Sequence, residues 1–227
     1  PKSILSIYFT NENNGCAVGI DYKGGKYLGT IIRTTDGGTS WTTQLSGLSN
    51  WLFSICFANS NTGWAVGTGV ILKTIDGGAS WTPQITGTSY GLYSVHFTDS
   101  NIGLAVGYNG NTSSGIILKT TDGGINWNIQ VSETKKVLNS VYFTNSNAGW
   151  TVGEDGVILK TTNGGTNWAS QSSGNSYQIN SCFYIDSNTG WAVGYNNIDT
   201  LLQTEIVWSN GAVETYYARD NAYEHYN

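Results

Sequence analysis

A five-fold internal repeat constrains this chain more than any other feature. The segments Ser6 to Gly19 (SIYFTNENNGCAVG), Ser54 to Gly67 (SICFANSNTGWAVG), Ser94 to Gly107 (SVHFTDSNIGLAVG), Ser140 to Gly153 (SVYFTNSNAGWTVG) and Ser181 to Gly194 (SCFYIDSNTGWAVG) align without gaps. Their first serines lie 48, 40, 46 and 41 residues apart. Four copies carry a second block that ends on tryptophan: TTDGGTSW at Trp41, TIDGGASW at Trp81, TTDGGINW at Trp127 and TTNGGTNW at Trp168. A period of about 40 to 50 residues marks supersecondary units that bury their faces only by stacking on neighbours.

Each unit reads as four short strands. The first alternates apolar residues such as Ile55 and Phe57, and the second is the Trp64-Ala65-Val66 type. The third is Val70 to Thr74, and the fourth starts at the block tryptophan. Asn/Asp-x-Asn-x-Gly separates the first two strands and Asp-Gly-Gly the last two; Asx side chains cap nearby amides and glycine accepts positive φ. No stretch sustains a 3.6-residue apolar period. The expected fold is therefore all-β, a β-propeller of four-stranded antiparallel blades. Five blades are expected, with part of a larger six- to eight-bladed propeller as the alternative. Residues 1–208 would form the propeller, with repeats starting near Ser6, Ser54, Ser94, Ser140 and Ser181. Residues 209–227 would be a non-repeating tail that helps close the ring. The fifth copy lacks the second block, and Trp208 is expected to begin a shortened final hairpin.

Of the 227 residues only 11% are charged, against roughly a quarter in an ordinary soluble domain, and the net charge is −5. With ten Lys and Arg in all, no basic surface is on offer for phosphates, which argues against nucleic acid as a partner. No apolar run reaches the roughly 18 to 20 residues of a membrane span, so no direct membrane insertion is expected. The chain begins at Pro1 and has no Met. It reads as a mature or excised segment whose leader is missing. The Asn/Ser/Thr-rich, charge-poor composition points to an extracytoplasmic location, secreted, at the cell surface, or in a periplasm or lumen.

The Asp-Gly-Gly-x-Ser/Asn-Trp block resembles the Asp box of sialidase-type, or BNR, propellers. Together with Gly-Trp-Ala-Val-Gly and Ile-Leu-Lys-Thr-Thr it resembles the propeller family of photosystem II stability and assembly factors and their bacterial surface-protein relatives. In those families the box is peripheral. That resemblance implies structural roles for Asp36, Trp41, Asp76, Trp81, Asp122, Trp127, Asn163 and Trp168: the acid or amide caps a hairpin, and the indole wedges strands and sheets together. Sialidases bind their substrate carboxylate with three arginines, whereas this chain has Arg33 and Arg219 alone. Some assembly factors bind a membrane-protein partner through an Arg-rich patch, which these two arginines cannot form.

Catalytic chemistry is thinly supplied. A glycosidase needs two carboxylates about 5 to 10 Å apart, and Asp21, Glu154 and Asp155 are the loop candidates. The histidines are His96, in a first strand, and His225, in the tail, too few for a nucleophilic triad with spare parts. No spacing of His, Cys and carboxylates suggests zinc or calcium, so no metal or cofactor is expected. Cys16, Cys56 and Cys182 read as small buried apolar residues, the latter two lining a central channel from sheets that do not touch, and therefore not bridged.

One rim of the propeller collects the loops before each first strand and those between second and third strands. It presents Trp51, Tyr90, Tyr177, Tyr22, Tyr108 and Tyr195, with Asp21, Glu154 and Asp155 nearby. Aromatic faces beside amides suit a protein surface or a glycan. The expected function is a non-catalytic binding or structural module that recognises a protein or glycan through this rim. The alternatives are a glycoside hydrolase using the rim carboxylates and a membrane-protein assembly factor.

Overall fold

The computed structural model describes residues 2–84, 89–130, 134–174, 176–195, 202–209 and 212–219, the last two stretches as backbone. The first sheet holds β1 (Lys2–Phe9), β2 (Gly15–Lys23), β3 (Lys26–Thr34) and β4 (Thr42–Leu48). The second holds β5 (Leu52–Phe57), β6 (Gly63–Gly67), β7 (Val70–Thr74) and β8 (Thr82–Gln84), and the third β9 (Tyr90–Phe97), β10 (Gly103–Asn109), β11 (Ser114–Thr120) and β12 (Asn128–Gln130). The fourth holds β13 (Leu138–Phe143), β14 (Gly149–Gly153), β15 (Ile158–Thr161) and β16 (Ala169–Gln171). The fifth is β17 (Gln178–Tyr184), β18 (Gly190–Tyr195), β19 (Leu202–Ser209) and β20 (Ala212–Arg219). All are antiparallel meanders in chain order, the expected all-β, four-stranded blades. The chain divides into two compact units, Pro1–Gln130 with three sheets and Val131–Asn227 with two.

The two glycines of Gly-Trp-Ala-Val-Gly are set by close approach. A Cβ on Gly63 would lie 2.6 Å from the ring of Phe57, and one on Gly149 2.6 Å from Phe143, because the first-strand aromatic lies flat over the glycine opposite it. The second glycine faces a β-bulge. Every first strand slips register just before its serine, between Ile4 and Ser6, Leu52 and Ser54, Leu138 and Ser140, and Ile179 and Ser181, with the matching slip in β10 between Val106 and Gly107. The bulge pushes a first-strand carbonyl against the glycine, so that a Cβ on Gly67 would overlap the Trp51 oxygen and one on Gly153 the Val137 oxygen.

Within each unit the sheets interlock through the repeat serines. The hydroxyl oxygens of Ser6, Ser54 and Ser140 accept hydrogen bonds from the amides of Ile55, Val95 and Cys182, each in the following sheet and each at 3.3 Å. The innermost strand edge is thereby satisfied without a ladder partner. The apolar layers lie between sheets: Cys16, Val18 and Ile31 against Leu52, Ile55 and Phe57; Trp64, Val66 and Ile71 against Leu92, Val95 and Phe97; Trp150, Val152 and Ile158 against Ile179, Cys182 and Tyr184. Cys56 and Cys182 belong to these layers and not to a channel, because alternate first-strand side chains turn to the two neighbouring sheets. Burial pushes both thiols up to about 12 and Cys16 to about 11, and all three are free.

The indoles divide their work differently from the expectation. Each box tryptophan packs edge-on against the first-strand phenylalanine of its own sheet: Trp41 on Phe9, Trp81 on Phe57, Trp127 on Phe97 and Trp168 on Phe143, at 5.8–6.1 Å. The ring that reaches the next sheet is the second-strand tryptophan. Trp64 stacks on Phe97 at 3.4 Å and 4°, and Trp150 on Tyr184 at 3.9 Å and 9°. One face of the first sheet and one of the fifth stay exposed, Ile7 at 54% in the first sheet against 4% for Ile55, and Trp191 at 38% in the fifth against 0% for Trp64.

The fifth sheet departs from the others. Trp208 does not start its fourth strand; it lies in β19 opposite Gly190, the register position held by Thr74 opposite Gly63. With no Asp-Gly-Gly block to turn the chain early, β19 runs on to Ser209, and Ala212–Arg219, placed beyond the repeat by sequence, pairs with it as β20. Tyr184 stands where the other sheets have Phe9, Phe57, Phe97 and Phe143. Its hydroxyl is buried with no hydrogen-bond partner among the described residues, and burial pushes its pKa up. Tyr184→Phe is expected to raise the unfolding free energy by about 1 kcal/mol, measured by denaturant unfolding; a loss of stability would show that the hydroxyl has a partner.

Candidate functional site

The Asp boxes form first, from local chemistry. Asp36 Oδ1 accepts hydrogen bonds from Ser40 N at 2.9 Å and Thr34 Oγ1 at 2.7 Å, and Oδ2 accepts from Ser40 Oγ at 2.6 Å. Asp76 and Asp122 repeat the pattern with Ser80 and Asn126. In the fourth sheet Asn163 Oδ1 accepts from Asn167 N at 2.9 Å and Thr161 Oγ1 at 3.0 Å. Bonds from Ser40 to Asp36, from Ser80 to Asp76 and from Asn126 to Asp122 hold those carboxyls at about 2. Both carboxylate oxygens are occupied inside the turn, and amide chemistry substitutes for acid at Asn163. The first turn is built likewise: Asn11, Asn59, Asp99, Asn145 and Asp186 each accept from the amides two and three residues on. The two turns clasp through Gly37 N to Asn13 O, Gly77 N to Asn61 O, Gly123 N to Asn101 O and Gly164 N to Asn147 O.

These shifts carry a pH dependence. Carboxyls lowered from 3.8 to about 2 stabilise the fold fully above pH 4, and that contribution is lost as pH falls through 2. The triple variant Asp36→Asn, Asp76→Asn, Asp122→Asn is expected to flatten the drop in melting temperature between pH 4 and pH 2. An unchanged acid limb would show that the boxes do not carry it.

At the opposite ends of the strands, in the unit Pro1–Gln130, exposed and half-buried aromatics converge. Tyr22 and Tyr27 face each other across the Lys23-Gly24-Gly25-Lys26 hairpin, 4.9 Å apart. Tyr27 meets Trp51 at 6.2 Å, Trp51 meets Phe53 at 6.5 Å, and Phe53 meets Tyr93 at 5.3 Å. The result is a continuous ribbon from the first sheet to the third. Trp51 is fixed by its amide donating to Thr68 Oγ1 at 2.8 Å and its indole N–H donating to Tyr27 O at 3.3 Å. Asn50, beside it, donates to Thr68 O at 2.5 Å. Tyr22, Tyr27 and Trp51 stay 39–60% exposed.

The sequence found Tyr22 and Trp51 but missed three members. Phe53 and Tyr93 precede the repeat serines in the bulges, where Leu5, Asn139 and Asn180 stand in the other sheets, and Tyr27 was marked by its symmetry with Tyr22 about the hairpin. Tyr90 leaves the rim: it is 8% exposed, in the layer between the second and third sheets. Tyr108 is half-buried and donates to Ser113 Oγ at 3.3 Å. Asp21 is half-buried in β2, opposite Lys2 and Leu28.

In the unit Val131–Asn227, Glu154 and Asp155 occupy a single 3-10 turn, Glu154–Gly156, in which Asp155 has φ 53°. Asp155 pairs with Lys136 at 2.5 Å, both side chains half-exposed. Tyr177 O accepts from Gly156 N at 2.7 Å, and Tyr195 hydroxyl donates to Gln178 Oε1 at 3.1 Å. His96 is buried enough to fall to about 4, and His225 lies outside the described residues. Among the described residues, no three His, Cys, Asp or Glu side chains cluster to hold a metal ion, and no helix is long and apolar enough to cross a membrane.

Four-stranded sheets closed by Asp boxes and clasped Asx turns define the BNR class of β-propeller. The model of the Photosynthesis system II assembly factor YCF48 family matches residues 1–134, 84–179 and 125–210, and the chain belongs to that family. A solved structure of YCF48 bound to D1 peptide is 20% identical, with 95% of this chain and 80% of that one covered and a TM-score of 0.50. YCF48 from Cyanidioschyzon merolae is 17% identical over 97% and 85% of the chains, with a TM-score of 0.60. The GH74 enzyme of Niastella koreensis is 17% identical with a TM-score of 0.74; 94% of this chain is covered, but only 38% of that one. At these identities the likeness is one of fold. No curated protein sequence matches the chain.

Proposed function

We propose that this chain is a non-catalytic propeller module that binds an extended segment of a protein partner along the ribbon Tyr22, Tyr27, Trp51, Phe53 and Tyr93. The ribbon itself carries the reading. Its rings stand at 50–83° to one another, so they offer alternating edges and faces to peptide side chains and no flat platform for a pyranose ring. Rigid, solvent-reaching aromatics dominate binding energy in protein recognition, and Tyr22, Tyr27 and Trp51 are the exposed members here. Membership of an assembly-factor family, one of whose relatives was solved with a D1 peptide, supports a protein partner. Recognition here does not run through Arg33, whose Nε donates to Gly77 O of the second sheet at 2.9 Å. A glycosidase reading loses ground because Asp155 is tied to Lys136. The charge-poor surface supports a place outside the cytoplasm.

The D1 peptide of the similar structure is a suitable probe. Its binding is expected to quench tryptophan fluorescence, and Trp51→Ala or Tyr27→Ala to weaken it at least about tenfold, or about 1.4 kcal/mol, with the fold intact by circular dichroism. Equal affinity for wild type and Trp51→Ala, or hydrolysis of oligosaccharides lost in Glu154→Gln, would overturn the reading.

A further inference from the structure

The outer end of the ribbon holds two phenols in a fixed, opposed pair. β2 and β3 pair without a register slip from Gly15 opposite Thr34 to Lys23 opposite Lys26, and the chain turns between the lysines on Gly24 and Gly25 alone, at φ 61° and 79°. A two-residue loop with both central residues left-handed sets the register of the pairs beside it. Tyr22 and Tyr27 are the second of those pairs, directly opposite one another. Opposed side chains share a sheet face with Cβ atoms about 4.5–5.5 Å apart. Here the ring centroids lie 4.9 Å apart, with the planes 50° from each other.

Exposure and freedom set this pair off from other tyrosines of the chain. Tyr22 is 45% and Tyr27 60% exposed, and neither hydroxyl has a hydrogen bond among the described residues. Tyr90 and Tyr184 are buried, and Tyr108 and Tyr195 donate to Ser113 and Gln178. An oxidant therefore reaches both phenols of the pair, and their protons leave to water. The rings can also turn to meet edge to edge, because the χ2 wells of tyrosine are broad.

We propose that Tyr22 and Tyr27 are an oxidative cross-linking site, joined as an intramolecular dityrosine by hydrogen peroxide and a peroxidase. Each phenol gives up one electron and its O–H proton. The two radicals then form a bond between ring carbons ortho to the hydroxyls, one Cε from each tyrosine, and the hydrogens on those carbons move to the oxygens. The protein loses two hydrogens in all, and the peroxide takes up two electrons and two protons to become two waters. Holding the rings opposite one another replaces an encounter between two chains by an internal step. The product is a fixed biphenol at the end of the ribbon. This chemistry stands on the hairpin alone and not on what the ribbon binds.

Treating the dilute full chain with a peroxidase and hydrogen peroxide, then separating monomer and digesting it with trypsin, tests this. Dityrosine fluorescence in the monomer is expected, carried by a cross-linked peptide that joins residues 3–23 to residues 27–33 and weighs two hydrogens less than their sum. Tyr22→Phe, and independently Tyr27→Phe, should each lower the monomer's dityrosine yield at least about tenfold, since the remaining phenol has no partner held opposite it. Tyr195→Phe should leave the yield unchanged. Dityrosine confined to covalent dimers or to other peptides, a yield that survives Tyr22→Phe, or an equal yield from the urea-unfolded chain would overturn the proposal, the last by showing that nearness in sequence suffices without the hairpin.

Discussion

Trp64→Ala is expected to lower the unfolding free energy by about 3–5 kcal/mol, the range for truncating a fully buried aromatic. Its ring has 0% exposure, stacks on Phe97 of the next sheet, lies under Lys73 Nζ at 5.4 Å and donates to Gly123 O. Removing it opens a cavity between two sheets and takes from Gly123 O the donor it has beside Lys73 Nζ. The same motif position in the fifth sheet, Trp191, is 38% exposed, and Trp191→Ala should cost no more than about 1–2 kcal/mol. Denaturant unfolding of the two variants decides the matter. Equal losses would mean that burial by a following sheet is not what makes this tryptophan count. A double-mutant cycle with Phe97→Leu should return a coupling of about 0.5–1.5 kcal/mol for the stacked pair.

Gly67→Ala comes next, with an expected loss of about 3 kcal/mol. The added methyl overlaps the Trp51 carbonyl, a backbone atom that cannot rotate away, so the bulge of β5 must shift and with it the Trp51 segment of the ribbon. Gly25→Ala is the control. Gly25 has φ 79°, yet nothing lies within 4 Å of its Cβ position, so only the left-handed backbone penalty of about 1–2 kcal/mol applies. Thermal melts of the two variants separate steric from conformational glycine. If Gly67→Ala proved as mild as Gly25→Ala, the bulge would be softer than the register slips imply.

Much of the fold was legible because its instructions are local. Asn59 finds the amides of Asn61 and Thr62, and Asp76 the amide and hydroxyl of Ser80, within four residues of themselves; such bonds leave the same kind of letters from copy to copy. The glycine pairs were legible as letters but not as reasons, since the ring over Gly63 and the carbonyl against Gly67 come from another strand. The lysine of Ile-Leu-Lys-Thr carries no local mark of its role. Its role as a latch depends on a turn 50 residues further on, as for Lys73 and Gly123. The candidate rim was half legible: Tyr22 stands at the end of β2 beside its hairpin and Trp51 in a loop, whereas Phe53 and Tyr93 sit inside strands, half-buried, at the residue where a bulge interrupts the alternation.

By itself the sequence determined the first four sheets, their strand order and the chemistry of both turns in each, since these rest on hydrogen bonds and backbone preferences spanning a few residues. Only the tertiary structure decided which indoles bind sheet to sheet, why Tyr90 is buried while Trp51 is not, and which aromatics form one ribbon. Those outcomes depend on what packs against each face, and identical repeats acquire different surroundings according to whether a neighbouring sheet covers them.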